Sequence, residues 1–463
     1  MSFLRPHGER RVPSWLWHRW LLLSILLFAL AIRLLFVLSP GHGSDLGINQ
    51  GWALSAARLG VVQSFQEQLN GNMLPNHGPL SIVAFAAVGW VNDALPQVFA
   101  RHHLLLHAVL KVPSIIADVV TCLLLYILLR RARGRNAGLL AALVYAVHPA
   151  VIYESAVWGQ TDSLFTVFVV AALLSFSASQ WILTGALFAL AALFKPHAFL
   201  FLPLFIALSI RRPLQLLTAV VAGLIISIAV LFPFFLGGSG NQVMNVYLRS
   251  VGYYPNLTMG AYNFWWSLFA DAANEKSAAD LLFGVIEYRF VGVLLYLFFS
   301  LLIILTFRKH LCARGREVGN PFVLFGVAGL IAYAFFNFNA EMHERYLFPA
   351  MALGVPLLFL SARLATVYVL SSLFFLMNLL GILPYTFIDR RLFGEFPTLD
   401  VFIASAHVFL FFLTWYFLAE YRRMEKSAVP LPAKHMRWLT SLLRSSENAR
   451  RELTSRGNQH DER

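Results

Sequence analysis

About a dozen apolar runs, most near the length of a membrane-crossing helix and parted by short basic or polar loops, leave this chain few folds to choose from. A helix needs roughly 20 apolar residues to cross the ~30 Å hydrocarbon core. In lipid every backbone N–H and C=O must be bonded internally, so only helices and closed barrels span. The sequence is 59% hydrophobic and 13% charged, where soluble domains run nearer a quarter charged. The expectation is an all-α polytopic membrane protein with about 12 transmembrane helices. A net charge of +13 would suggest nucleic acid in a soluble chain. Here basic residues gathering on the cytoplasmic side account for it, so no nucleic-acid partner is called for. Cys122 and Cys312 are far apart and offer no disulfide framework.

Charge orders the runs. Residues 1–19 carry Arg5, Arg10, Arg11 and Arg19, which puts this segment in the cytoplasm. The first run, 20–38, lacks a small-residue cleavage site and reads as a retained span. Arg33 inside it is either a functional intramembrane charge or a side chain snorkelling to the surface. A long outer loop, 40–103, follows and contains an apolar piece, 79–95, only marginally long enough to cross. If it crossed, the arginine-rich stretch 130–135 after the span 103–130 would face outward, against the positive-inside rule. The piece is therefore expected to be interfacial or re-entrant, backed by protein. Further spans are 136–156, 161–178, 180–195, 197–210, 213–236, 282–306, 320–337, 346–361, 364–384 and 400–420. The remaining outer loops are 237–281, 338–345 and 385–399. Domain organisation is thus a cytoplasmic segment 1–19, a membrane region 20–420, and a basic cytoplasmic tail 421–463 in which 436–443 can lie amphipathically on the surface.

On this topology every unusual polar cluster falls on the outer face, whereas a transporter should place polar groups near the midplane of repeated, interrupted helices. Asp45 stands where the chain leaves span 1, ahead of a short helical run, 51–59, whose Trp52 reads as an interfacial anchor. His77 lies in Asn76-His77-Gly78-Pro79. Glu154 precedes Trp158-Gly159-Gln160-Thr161-Asp162-Ser163, where Asp162 is either an N-cap or a second acid facing the cavity of Asp45. Lys195-Pro196-His197 joins two spans, and a lysine and a histidine there suit a phosphate. In 337–346, His343 and Arg345 suit a lipid phosphate, with Glu341 or Glu344 orienting Arg345; an ion-pair cluster of purely structural use is the alternative. Zinc is disfavoured, since there is no HExxH and no second histidine at helical spacing. The aromatic and amide-rich stretch 253–266, including Asn263, fits an aromatic belt and sugar binding equally.

Taken together, Asp45 after span 1, WGQTDS, KPH, AYNFWW and MHERY resemble the GT-C superfamily of membrane glycosyltransferases, and look closest to bacterial relatives of the mannosyltransferases that build glycosylphosphatidylinositol anchors. The likeness extends over about 15–420. It implies a GT-C-like fold whose first outer loop carries interfacial helices, a polyprenyl-phosphate sugar donor, inverting transfer at the outer membrane surface, and Asp45 as the base. On this reading Lys195, His197, His343 and Arg345 take the donor phosphate. Asp162, Gln160, Trp158, Asn263, Glu344 and His77 take sugar or acceptor, a lipid or a glycan. No cofactor is required and a divalent metal is optional, because a lipid phosphate already departs well. The location implied is a bacterial inner membrane with the site facing the periplasm. Two features depart from the family pattern: a single acid where relatives often have two, and Asn76-His77-Gly78-Pro79 where an aromatic–proline run is common. The competing readings are a lipid-linked-sugar flippase and a surface-polysaccharide polymerase or ligase.

Overall fold

With no water to satisfy it, the backbone of each apolar run bonds to itself, and the chain folds almost entirely as helix. The computed structural model describes residues 14–95, 103–311, 319–383 and 398–427. The segment 1–13, residues 312–318 with Cys312, the loop 384–397, and the tail from 428 with its amphipathic piece 436–443 lie outside the described residues. Helix α1 (Ser14–Phe36) leads into a first loop folded as α2 (Gly43–Leu59) and α3 (Pro79–Ala94). Next come α4 (His103–Arg133), α5 (Arg135–Ala146) and the short α6 (Pro149–Ile152), which runs into a π-helical turn, Tyr153–Trp158. α7 (Asp162–Ser177) and α8 (Trp181–Phe194) pack as a pair, and a 3-10 stretch, Pro196–Phe201, leads to α9 (Leu202–Ser209) and α10 (Pro213–Leu236). The second loop holds α11 (Gly240–Leu248), β1 (Thr258–Met259), α12 (Phe264–Phe269), α13 (Ala272–Glu275), β2 (Leu281–Leu282) and β3 (Ile286–Glu287). Then follow α14 (Tyr288–Leu311), α15 (Pro321–Phe338), β4 (Met342–His343), α16 (Phe348–Gly354), α17 (Ala362–Ile382) and α18 (Leu399–Ser427). By contact the chain divides into Met1–Trp415 and Tyr416–Arg463; the described part of the second unit is helix to Ser427.

Among the described residues seven helices are long and apolar enough to cross a membrane, or eight if the pair around the 49° bend before Pro149 counts as one. The count of about 12 also includes four shorter apolar helices, Asp162–Ser177, Trp181–Phe194, Pro196–Ser209 and Phe348–Phe359. α15 is the most enclosed, with 89% of its apolar window buried against protein, whereas α10 has 6% and presents its leucines and isoleucines outward. α10 is held against α8 by backbone proximity: a Cβ at Gly185 would run into the Ala219 carbonyl, the close approach that small residues permit between membrane helices.

The first loop is anchored rather than draped. α2 and α3 pack face to face, Gly89 admitting the Ala53 carbonyl. Leu46, Trp52, Phe65 and Phe85 form a core with Phe234 and Val243. Trp52 is 2% exposed and donates to the Met73 carbonyl at 2.8 Å, so it is a core residue and not the expected interfacial anchor. At the start of α3, Gly78 N–H and Ser81 Oγ both donate to the Phe194 carbonyl, at 3.1 and 2.8 Å. That docking sets Asn76 and His77 beside Lys195.

Two expectations about polar residues are overturned within the spans. Arg33 neither snorkels nor faces a pathway. It is fully buried, donates to Asp118 Oδ2 at 2.9 Å and to the Ala29 and Ala146 carbonyls at 3.0 Å, while Ser163 and Tyr145 donate to Asp118 Oδ1. Polar groups are therefore not confined to one face. An unpaired charge in lipid is costly, and this cluster meets the requirement by joining α1, α4, α5 and α7. Lys111 acts similarly, donating to the carbonyls of Val37, Ser39 and Val157 and to Ser39 Oγ, which ties the end of α1 to the π-helical turn.

Candidate active site

Asp45 lies in the first turn of α2, where the helix dipole favours a carboxylate. The segment before it is clamped to the π-helical turn: His42 N–H reaches the Trp158 carbonyl, and a Cβ at Gly41 (φ 65°) would meet Trp158 O at 2.6 Å. Gly159, at φ 90°, reverses the chain after Trp158, a conformation only glycine takes without cost. As a result both neighbours of Gly159 point back to Asp45. Trp158 Nε1 donates to Oδ2 at 2.9 Å, Gln160 Nε2 donates to the same oxygen at 2.6 Å, and His42 Nδ1 lies 3.3 Å from it, its ring stacked on Trp158. Among the described residues Oδ1 has no such partner and the side chain is 26% exposed, so one oxygen is fixed and the other is open. Burial pushes the Asp45 carboxyl up, but His42, Arg345 and Trp158 outweigh it and hold the group below the usual carboxylate range. The hydrogen bond to Asp45 raises His42 in turn.

A second cluster supplies positive charge. Lys195 follows α8 in extended backbone (φ −150°, ψ 130°) before Pro196 starts the next helical turn, and donates to Asp162 Oδ1 at 2.7 Å. Asp162 Oδ2 is 3.8 Å from Arg345 Nε, and Arg345 Nη1 donates to Glu344 Oε1 at 2.7 Å and lies 3.2 Å from His343 Nδ1. Both cations are buried, at 4% and 8% exposure. The stretch that holds Arg345 is fixed by a parallel pairing of β1 with β4, Thr258 opposite Met342. Glu341 sits at φ 60°, a strained setting for a residue with a Cβ. It accepts the Gly252 N–H at 2.9 Å and so anchors the loop that carries Tyr254. Tyr254 meets His343 edge-on at 4.5 Å between ring centres, and Tyr346 stands 4.2 Å from His197.

These groups open onto a cavity of about 480 Å³ whose lining includes His77, Lys195, His197, Tyr254, Arg345 and Tyr346. Burial lowers His77 and His343, with the nearby cations adding to the effect. Burial thus disfavours charge on both imidazoles, and an entering phosphate would meet positive charge from Lys195 and Arg345. Of the residues expected around a phosphate, Lys195, His197 and Arg345 line the cavity together, while His343 stands behind Arg345.

Of the residues expected around sugar or acceptor, His77 lines the cavity and Trp158 and Gln160 address Asp45. Asp162 is not an N-cap; it is the buried counter-ion of Lys195, also facing Arg345. Glu344 is occupied by Arg345, and Glu341 holds a loop instead of that arginine. Asn263 is corrected: fully buried and outside the cavity lining, it accepts from the N–H groups of Trp265 and Trp266 as the cap of α12 and donates to the Phe336 carbonyl, a structural use in place of sugar binding. Sequence reasoning missed His42, Lys111 and Asp118, while Tyr254 and Tyr346 fell in stretches it marked, 253–266 and 337–346. Each of the three missed residues carried a local signal: Lys111 and Asp118 are charges inside an apolar run, as Arg33 is, and His42 stands three residues before Asp45 at helical spacing. Among the described residues no three His, Cys, Asp or Glu side chains gather as metal ligands.

Residues 90–236 match the family model described as dolichyl-phosphate-mannose-protein mannosyltransferase. The match covers the π-helical turn, the WGQTDS segment, Lys195 and His197, and agrees with the resemblance to the GT-C superfamily. It supports a glycosyltransferase of that class in a multi-pass membrane protein. No curated protein matches the chain.

Proposed function

We propose that this protein transfers a sugar, mannose or another hexose or pentose, from a polyprenyl-phosphate donor to a lipid or glycan acceptor, at the periplasmic face of a bacterial plasma membrane, with inversion at the anomeric carbon. The observation that carries the reading is the pairing of a carboxylate with one open oxygen and a buried cationic cavity whose Arg345 acts on it electrostatically. In the reaction the acceptor oxygen bonds to the anomeric carbon as the bond from that carbon to the phosphate oxygen breaks. The acceptor proton passes to Asp45 Oδ1, and the electron pair leaves with the polyprenyl phosphate. Trp158, Gln160 and His42 keep Asp45 ionised and aimed. Lys195 and Arg345 face the departing phosphate as its charge grows, the kind of preorganised electrostatics that dominates many enzymic rate enhancements. His77 and His197 present their imidazole rings to the cavity wall. The matched family's name points to a protein acceptor as a further candidate.

The test is transfer from a set of polyprenyl-phosphate sugars by the purified full chain, wild type beside Asp45→Asn. General-base assistance contributes roughly 10²–10⁴-fold. The variant should lose turnover by about that factor while still binding donor. Equal turnover by both would remove Asp45 from the chemistry and turn attention to Asp162 and Glu344. Binding of polyprenyl phosphate with no transfer from any donor would favour a flippase. The polar groups of Arg33 and Asp118 lie within the spans as a transporter requires, but they are bonded to each other and closed to passage.

A further inference from the structure

Three cationic side chains line the cavity, and only two are compensated. Lys195 is paired with Asp162, and Arg345 with Glu344 and more distantly Asp162. The third, Arg249, is exposed and forms no ion pair among the described residues, and no carboxylate lines the cavity. Arg249 caps the C-terminal end of α11, which turns one face to the cavity: Gln242, Asn245 and Arg249, three, four and seven residues apart, are neighbours on a helix. The other side of α11 is committed to packing, with Val243 fully buried against the first-loop core. Among the described residues the Gln242 side chain makes no hydrogen bond, its Oε1 lying buried without a partner, so its Nε2 amide is free to donate to a phosphate oxygen.

We propose that this face of α11 is a phosphate-binding wall for the lipid carrier, with Arg249 meeting the charge and Gln242 and Asn245 bonding the headgroup. The inference rests on the function proposed above and deepens it. Lys195 and Arg345 present their N–H donors to the cavity, but each already shares its charge with a buried carboxylate, Asp162 or Glu344. The donor phosphodiester brings one negative charge, and the departing phosphate monoester carries about −1.5 to −2 near pH 7. Arg249 supplies the surplus. Its exposure lets it capture the headgroup at the rim before the phosphate reaches the buried cations. An arginine at a helix C-terminus also complements the helix dipole, but that role explains neither its opening on the cavity nor the unengaged Gln242 amide beside it.

The experiment measures binding of a polyprenyl monophosphate to the full chain in detergent, by intrinsic fluorescence at low and moderate salt. Unphosphorylated polyprenol, inorganic phosphate and an anionic phospholipid serve as comparison probes, and the thermal midpoint of each variant is recorded. Arg249→Gln should weaken binding roughly tenfold or more, the scale of a lost charge-assisted hydrogen bond, with a shallower salt dependence and an unchanged midpoint. Arg249→Lys should recover most of the affinity. Gln242→Leu, which alters no charge, should weaken binding with the wild-type salt dependence. Displacement by inorganic phosphate but not by polyprenol supports phosphate as the group read. Wild-type affinity in both Arg249→Gln and Gln242→Leu overturns the wall while leaving the glycosyltransferase reading intact. An equal Arg249→Gln loss for the anionic phospholipid overturns the carrier assignment. Failure of the wild type to bind any polyprenyl phosphate overturns the underlying reading itself.

Discussion

At the scale of single residues, the site depends on how Asp45 divides its two oxygens. Oδ2 takes Trp158, Gln160 and His42, and Oδ1 is left for the acceptor. A carboxyl whose folded value is depressed stays ionised until the pH falls through that lowered value. The acid limb of kcat/KM assigned to Asp45 should therefore lie below about pH 4, under the ordinary carboxylate range. A pH-rate profile with an acid limb above about pH 5 that shifts in Asp45→Glu would contradict this. His42 runs the opposite way. Its folded value is raised, so the stabilisation from its ion pair is complete below about 6.5, the unperturbed value, and is lost as pH rises through the raised one. Thermal midpoints of wild type and His42→Asn should converge as the pH rises above about 6.5, by a small amount because the pair is partly exposed. Parallel curves over that range would mean the pair adds nothing.

At the scale of elements, a π-helical turn and one glycine assemble the base. π-bulges recur at functional sites because they shift the register of the side chains that follow. Here the shift and the reversal at Gly159 bring Trp158 and Gln160 to one oxygen of a residue more than a hundred positions earlier. In Gly159→Ala the new Cβ would lie 2.6 Å from Leu46 Cδ2 with φ at 90°. We expect a loss of stability of about 1–3 kcal/mol and a fall in kcat larger than any rise in donor KM, because Lys195 and Arg345 stand on other elements. Steady-state kinetics beside a thermal melt would check it; a change confined to KM would place the turn in donor binding. The WGQTDS motif was visible in the sequence, but its use was not. Asp162 read as a helix cap or a ligand and is the counter-ion of Lys195, a partner 33 residues away.

At the scale of the whole molecule, buried charge pairs hold the spans in register. Arg33 and Asp118 are both fully buried and 2.9 Å apart. Removing one partner strands the other in a medium that cannot solvate it, at a cost of about 3–5 kcal/mol, whereas replacing both with apolar side chains of similar volume is close to neutral. Arg33→Met should therefore lower the thermal midpoint in detergent, and Arg33→Met with Asp118→Leu should restore much of it. Equal midpoints for wild type and the single variant would show that the pair is not structural.

The sequence by itself determined the class of molecule. Apolar runs of that length can only be helices in a membrane, and the helices form where the runs lie, because hydropathy and backbone satisfaction are local and additive along the chain. It also marked most of the chemistry-bearing stretches, Asp45, WGQTDS, KPH and MHERY, since polar residues at the ends of apolar runs stand out against their neighbours. Only the tertiary structure decided what each polar group faces. Asn263 became a helix cap and Trp52 a core residue, Asp162 was taken up by Lys195, and Arg33 found Asp118. Arg249, unremarkable in sequence, was left on the cavity without a carboxylate. The physical reason is that charge compensation acts over a few ångströms, and in pairs such as Arg33–Asp118 and Lys195–Asp162 it joins residues distant in the chain, set by which helices pack together, so no short window of sequence contains both partners.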